Sequence, residues 1–81
     1  MEAGTAMTQM EVVYRYGATP GEAAMRAIDS IREVYGIRRI IFHSTERTLR
    51  VEFDASRLKE PMVASLLRGA GIDLQDRLIL A

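Results

Sequence analysis

The chain has no cysteine and no tryptophan among its 81 residues, only two prolines, five aromatic side chains in all, and no excess of either charge. Each shortage closes a class of function. Without cysteine there is no disulfide framework, no thiolate-ligated zinc or iron-sulfur centre and no thiol nucleophile. Eleven basic residues against eleven acidic ones leave no cationic surplus for phosphate backbones, so a nucleic-acid partner is not expected. No apolar run approaches the length of a membrane span, and the opening MEAGTAMTQ lacks the basic start and apolar stretch of a secretory signal, so a soluble cytoplasmic protein without a membrane partner is expected. The length allows one small domain, with one layer of helices against one sheet.

What is present is clear periodicity. Met10, Val12, Tyr14 and Tyr16 alternate, with Glu11 and Arg15 between them, which predicts a strand ending near Gly17. From Pro20 the spacing becomes helical, with Ala24, Ala27, Ile28, Ile31, Val34 and Tyr35 on one stripe and Gly36 as the stop. Ile37, Ile40 and Phe42 predict a second strand. A polar turn at Thr45-Glu46-Arg47 leads into Leu49, Val51 and Phe53, making an antiparallel hairpin. Pro61 suits a first helical turn, Val63, Leu66, Leu67 and Ala70 repeat at helical spacing, and Gly71 closes the second helix. Arg77 to Leu80 read as a last strand. The order βαββαβ, with right-handed crossovers, predicts an α+β ferredoxin-like sandwich: a four-stranded antiparallel sheet with two helices on one face. Residues 1–9 carry no period and are expected to form a disordered tail, leaving 10–81 as a single domain.

Several pieces, taken in order, carry a family likeness: Gly17-Ala18-Thr19 before the first helix, Ile28 and Ile31 on its stripe, Gly36-Ile37 at the second strand, Val51-Glu52-Phe53-Asp54 on the third, and Ala70-Gly71-Ile72-Asp73 after the second helix. From about Met10 to Leu80 the chain resembles the heavy-metal-associated domain of copper chaperones and metal-transporting ATPases. In that family two loop cysteines hold copper(I) or zinc as thiolates. Here Pro20 and Ala23 stand in those positions, and neither side chain can donate an electron pair to a soft ion. The resemblance therefore implies the fold but not the metal or any other cofactor. Thr19-Pro20-Gly21-Glu22 reads instead as a capping box that closes the helix start on itself.

The first strand admits two registers. If Val13 and Arg15 point inward, as the family pattern implies, then Tyr14, Tyr16 and Ile41 lie on the open sheet face beside His43, Arg50 and Glu52. If the simple alternation holds, the tyrosines fill the core; the cost of burying an unpaired Arg15 tilts the balance that way, or toward a bulge that repairs the register. Tyr14, Tyr16, Ile41 and His43 are accordingly candidate partner-contact residues, with Thr19 and Glu22 as a docking corner.

An enzyme is not expected. His43, the single histidine, has no carboxylate or serine at a spacing that would converge on it. Gly17 to Gly21 lacks the Lys-Ser or Lys-Thr of a phosphate loop. Met7 and Met10, three apart on an extended segment, point to opposite faces and do not form a thioether pair. The leading expectation is a noncatalytic interaction or regulatory module whose partner is another protein or a second copy, with Arg38-Arg39 marking an edge strand that either discourages pairing or pairs with itself. The alternatives are a homodimeric small-ligand sensor and residual heavy-metal binding through ligands other than cysteine.

Overall fold

The computed structural model describes residues 9–81. Six elements follow one another: β1 (Gln9–Tyr16), α1 (Glu22–Ile31), β2 (Ile37–His43), β3 (Thr48–Asp54), α2 (Glu60–Gly69) and β4 (Leu74–Leu80). The strands form one antiparallel sheet in the order β2-β3-β1-β4. This is the ferredoxin-like α+β arrangement that the order of apolar periods predicts. Of the tail expected over residues 1–9, residues 1–8 lie outside the described residues, and Gln9 already pairs with Asp54 as part of β1.

The core lies between the sheet and the helices. Val12, Tyr14 and Tyr16 of β1 join Leu49, Val51 and Phe53 of β3 and Ile37 and Ile40 of β2, and they meet Ile28 and Ile31 from α1 and Val63, Ala64 and Leu67 from α2. The simple alternation therefore decides the strand-one register. Tyr14 and Tyr16 are each 3% exposed and do not lie on the open face. The physical reason is Arg15, which stays exposed and reaches Asp76 of β4 at 3.3 Å, so no cation has to be buried. Tyr16 packs edge-on against Phe42, with ring centroids 5.8 Å apart.

The helix ends differ from their sequence signals. The expected capping box is absent. Gly21, not Thr19, is the N-cap of α1, no side chain caps it, and the Met25 amide donates to the Gly21 carbonyl at 3.0 Å. Pro20 therefore precedes the helix instead of opening it. The first helix also stops at Ile31, and a tight series of turns carries the chain to Gly36, which adopts φ +105°. Tyr35 lies outside the helix and is 73% exposed rather than part of the apolar stripe; the Arg57 guanidinium lies 4.6 Å from its ring centroid. In α2, Pro61 sits in the first turn as expected. The last strand starts three residues earlier than its apolar run suggests. Its register against β1 shifts twice, between Val13 and Tyr14 and between Arg15 and Tyr16, so its alternation is broken in the sequence.

Candidate functional site

The β1–α1 loop is fixed from two sides by residues distant in sequence. The Gly17 amide donates to the Asp73 carbonyl at 2.9 Å and the Ala18 amide to Asp73 Oδ2 at 3.1 Å. From the hairpin between β2 and β3, the Arg47 guanidinium donates to the Gly17 carbonyl at 2.5 Å, and the Arg47 carbonyl accepts from the Tyr16 amide at 2.9 Å. Arg47 does this from a left-handed backbone, φ 56°. Gly17 is closely approached: a Cβ there would lie 2.5 Å from both Asp73 Oδ2 and Gln75 Nε2, so those side-chain ends would have to move aside. Thr19 and Glu22 are exposed at this braced corner, with Glu22 paired to Arg26 at 3.1 Å. Pro20 and Ala23 flank the helix start, and the described methionines, Met10, Met25 and Met62, sit on three different elements. Among the described residues no group of three or more histidines and carboxylates converges.

The sheet face away from the helices is built from the opposite parity of each strand. The strand registers align Ile41, Arg50, Val13 and Ile79 in one row across all four strands. On one side of that row Arg39 faces Glu52 and Glu52 faces Glu11; on the other, His43, Thr48, Arg15 and Asp76 follow one another. Cross-strand ion pairs tie the charges together: Arg50 Nε to Glu11 at 3.3 Å, Arg39 to Glu52 at 4.0 Å, and Arg15 to Asp76. The Arg50 Nε is buried and out of line for a hydrogen bond. Ile41 and His43 thus occupy the open face, while Val13 and Ile79 take the places expected of the tyrosines. Parity signals Val13 once the register is known; Ile79 is masked by the bulges of β4.

Apolar side chains are exposed in succession at the sheet edge. Leu78, Ile79 and Leu80 are 43%, 51% and 40% exposed on β4, which among the described residues has β1 on one side and no strand on the other.

Under the sheet's helical side, the Tyr14 hydroxyl donates to Glu60 Oε2 at 2.6 Å, and Arg77 reaches the other oxygen of the same carboxylate at 3.3 Å. Burial pushes the Tyr14 hydroxyl well above its ordinary pKa; the hydrogen bond to Glu60 and that carboxylate's charge push the same way, while Arg77 and Arg68 pull it down. A cleft of about 330 Å³ between α2 and β4 adjoins this cluster, with Ser65, Arg68 and Gln75 among its walls. A larger apolar groove, about 710 Å³, runs between α1 and α2 over Ala27, Ile31, Leu58, Met62, Leu66 and Ala70. Neither feature has a local sequence signal, because each is made by residues from elements that meet only in the fold.

The fold and these surfaces define a small ferredoxin-like α+β domain with one covered and one open sheet face. No helix of the described residues is long and apolar enough to cross a membrane. Comparison of the chain with protein-family models, curated proteins and solved structures finds no match.

Proposed function

We propose that the chain is a noncatalytic, heavy-metal-associated-like domain that has lost the soft-metal site and serves in the cytoplasm as a protein interaction or regulatory module. The observation that carries this reading is the open-face row Ile41–Arg50–Val13–Ile79, in which Ile41 is half-buried, Val13 is buried and Ile79 runs out into the exposed β4 edge, while the charges in and around the row are paired within the sheet. A surface of that kind gains by being covered, and it needs few ionic partners broken to be covered. Thr19 and Glu22 are exposed in the loop and first helical turn that follow the tethered Gly17 and Ala18 and would serve as the docking corner, and His43 lies on the open face at the end of β2. Tyr14 and Tyr16 support the surface from below and do not touch a partner.

Two measurements test this reading. Titration with copper(I) or zinc gives no tight one-to-one complex; a stoichiometric complex that disappears on changing His43 or the methionines overturns the loss of metal binding. Replacing Ile41→Glu and Ile79→Lys together removes partner capture or self-association while leaving the far-ultraviolet circular dichroism unchanged; unaltered capture by that variant overturns the contact surface.

A second reading, a homodimeric small-ligand sensor, draws on the groove between the helices, whose volume and apolar lining match ordinary ligand sites. A metabolite screen that raises the melting temperature of the native chain but not of Ala27→Trp, in which the groove is filled, supports it; a screen without any shift counts against it.

A further inference from the structure

Among the described residues no strand covers the outer edge of β4. Glu11 and Ala81 exchange both backbone hydrogen bonds, at 2.7 and 2.8 Å. In an antiparallel ladder the neighbouring residue, Leu80, then turns its N–H and C=O away from β1 and toward the open edge. There the side chains are Leu78, Ile79 and Leu80, none of the three a charge or a proline of the sort that usually blunts an edge. The opposite edge differs: β2 exposes Arg38 and Arg39, charged side chains of the kind that discourage strand pairing.

We propose that two copies of this chain pair antiparallel through β4 about a two-fold axis at Ile79, joining their sheets into one of eight strands with all four helices on the same side. The proposal rests on the interaction-module reading and names its partner. In this register Ile79 faces Ile79 of the second copy, Leu78 faces Leu80 of the second copy twice over, and Arg77 faces an alanine. The outward backbone groups of Leu80 gain partners. Sliding the strands so that the axis falls at Arg77 would instead oppose two guanidinium groups, and an axis at Leu78 would set Arg77 and Asp76 against Ile79 and Leu80, so the Ile79 register is the one that matches apolar side chains with apolar ones. The axis continues the open face across the junction, which doubles the Ile41–Arg50–Val13–Ile79 row and places its two copies end to end.

The absence of cysteine makes the test clean. In the Ile79→Cys variant the two new thiols lie opposite each other in a pair without hydrogen bonds, where Cα atoms come within about 4.5 Å and a disulfide can form. Mild oxidation of this full-length variant is expected to give a dimer, reversible by reductant, while Arg39→Cys on the β2 edge stays monomeric. Light scattering of the native chain at high concentration is expected to approach twice the 9.1 kDa monomer mass, and Ile79→Lys is expected to return it to one copy with its circular dichroism unchanged. A folded Ile79→Cys that stays monomeric on oxidation overturns the pairing, as does cross-linking through Arg39→Cys instead. Such a failure leaves the broader reading standing if the Ile41→Glu and Ile79→Lys variant still loses a different protein partner, and removes both if it loses none.

Discussion

At Tyr14 a buried phenol is held between an acid and two bases, and its energetics can be read in one substitution. The hydroxyl donates to a Glu60 carboxylate whose side chain is only 17% exposed, and hydrogen bonds to charged groups stabilise more than neutral ones. Tyr14→Phe keeps the ring and removes the bond, for an expected loss of about 1 to 2 kcal/mol in urea unfolding at neutral pH. The sign of the pH dependence follows from the raised pKa. A phenol that ionises less readily in the folded state than in the unfolded chain contributes stability that is complete below the unfolded value, about 10, and is lost as the pH rises from there through the folded value. The stability gap between native chain and Tyr14→Phe is therefore expected to narrow as pH climbs past 10; a gap that holds constant to pH 11 would show that the phenol does not ionise differently in the two states.

At the scale of elements, the glycines that follow the helices separate strain from crowding. Gly36 and Gly71 both take positive φ, +105° and +101°, so alanine at either site meets the same backbone penalty, about 1 kcal/mol. Their surroundings differ. A Cβ at Gly36 would stand 3.0 Å from Arg57 Cβ and from Leu58 Cγ, a side chain in the core, whereas at Gly71 it would meet Ala24 Cβ at an ordinary 3.5 Å. Gly36→Ala is expected to lose roughly 2 to 3 kcal/mol, the extra coming from overpacking, against roughly 1 kcal/mol for Gly71→Ala, and equal losses by chemical denaturation would mean that the β2 entry yields without resistance.

The same elements show where a sequence speaks and where it does not. β3 was legible because it carries an unbroken alternation over its own length, β1 because Met10, Val12, Tyr14 and Tyr16 keep one parity although Val13 interrupts the other, and the hairpin because its polar turn lies between two apolar runs. The start of β4 was not, since the two register shifts against β1 put Gln75 and Leu78 out of phase. Thr19-Pro20-Gly21-Glu22 has the letters of a capping box, yet Asp73 and Arg47 hold Gly17 and Ala18 two residues too early for the hydroxyl of Thr19 to cap the helix. Those tethers come from residues 55 and 30 positions away, a separation at which local pattern carries no information. Of the candidate contact residues, Ile41 and His43 reached the open face because β2 and β3 keep their register from Ile40 to His43. Tyr14 and Tyr16 went inside because parity and the charge on Arg15 outweighed the family pattern.

For the whole molecule, the balance of charges is distributed as surface pairs, most of them well exposed, and such pairs add little to stability. What remains is a single core, and its loss should be felt globally. An 81-residue domain has about 4 to 12 kcal/mol of stability in total, and truncating a fully buried phenylalanine removes about 3 to 5 kcal/mol. Phe53 is 1% exposed, sits on β3 between β1 and β2, and belongs to the cluster that joins the sheet to both helices. Phe53→Ala is therefore expected to lower the urea midpoint by about a quarter or more of its native value, the ratio of those energies, and to lose protection of β1 and β3 amides together. Met62, 49% exposed on the outer groove, supplies the contrast: Met62→Ala is expected to shift stability by less than about 1 kcal/mol. Should the two substitutions prove equally costly, the helix layer would have to owe its attachment to the groove and not to the sheet, and the division of the molecule into a covered and an open face would have to be redrawn.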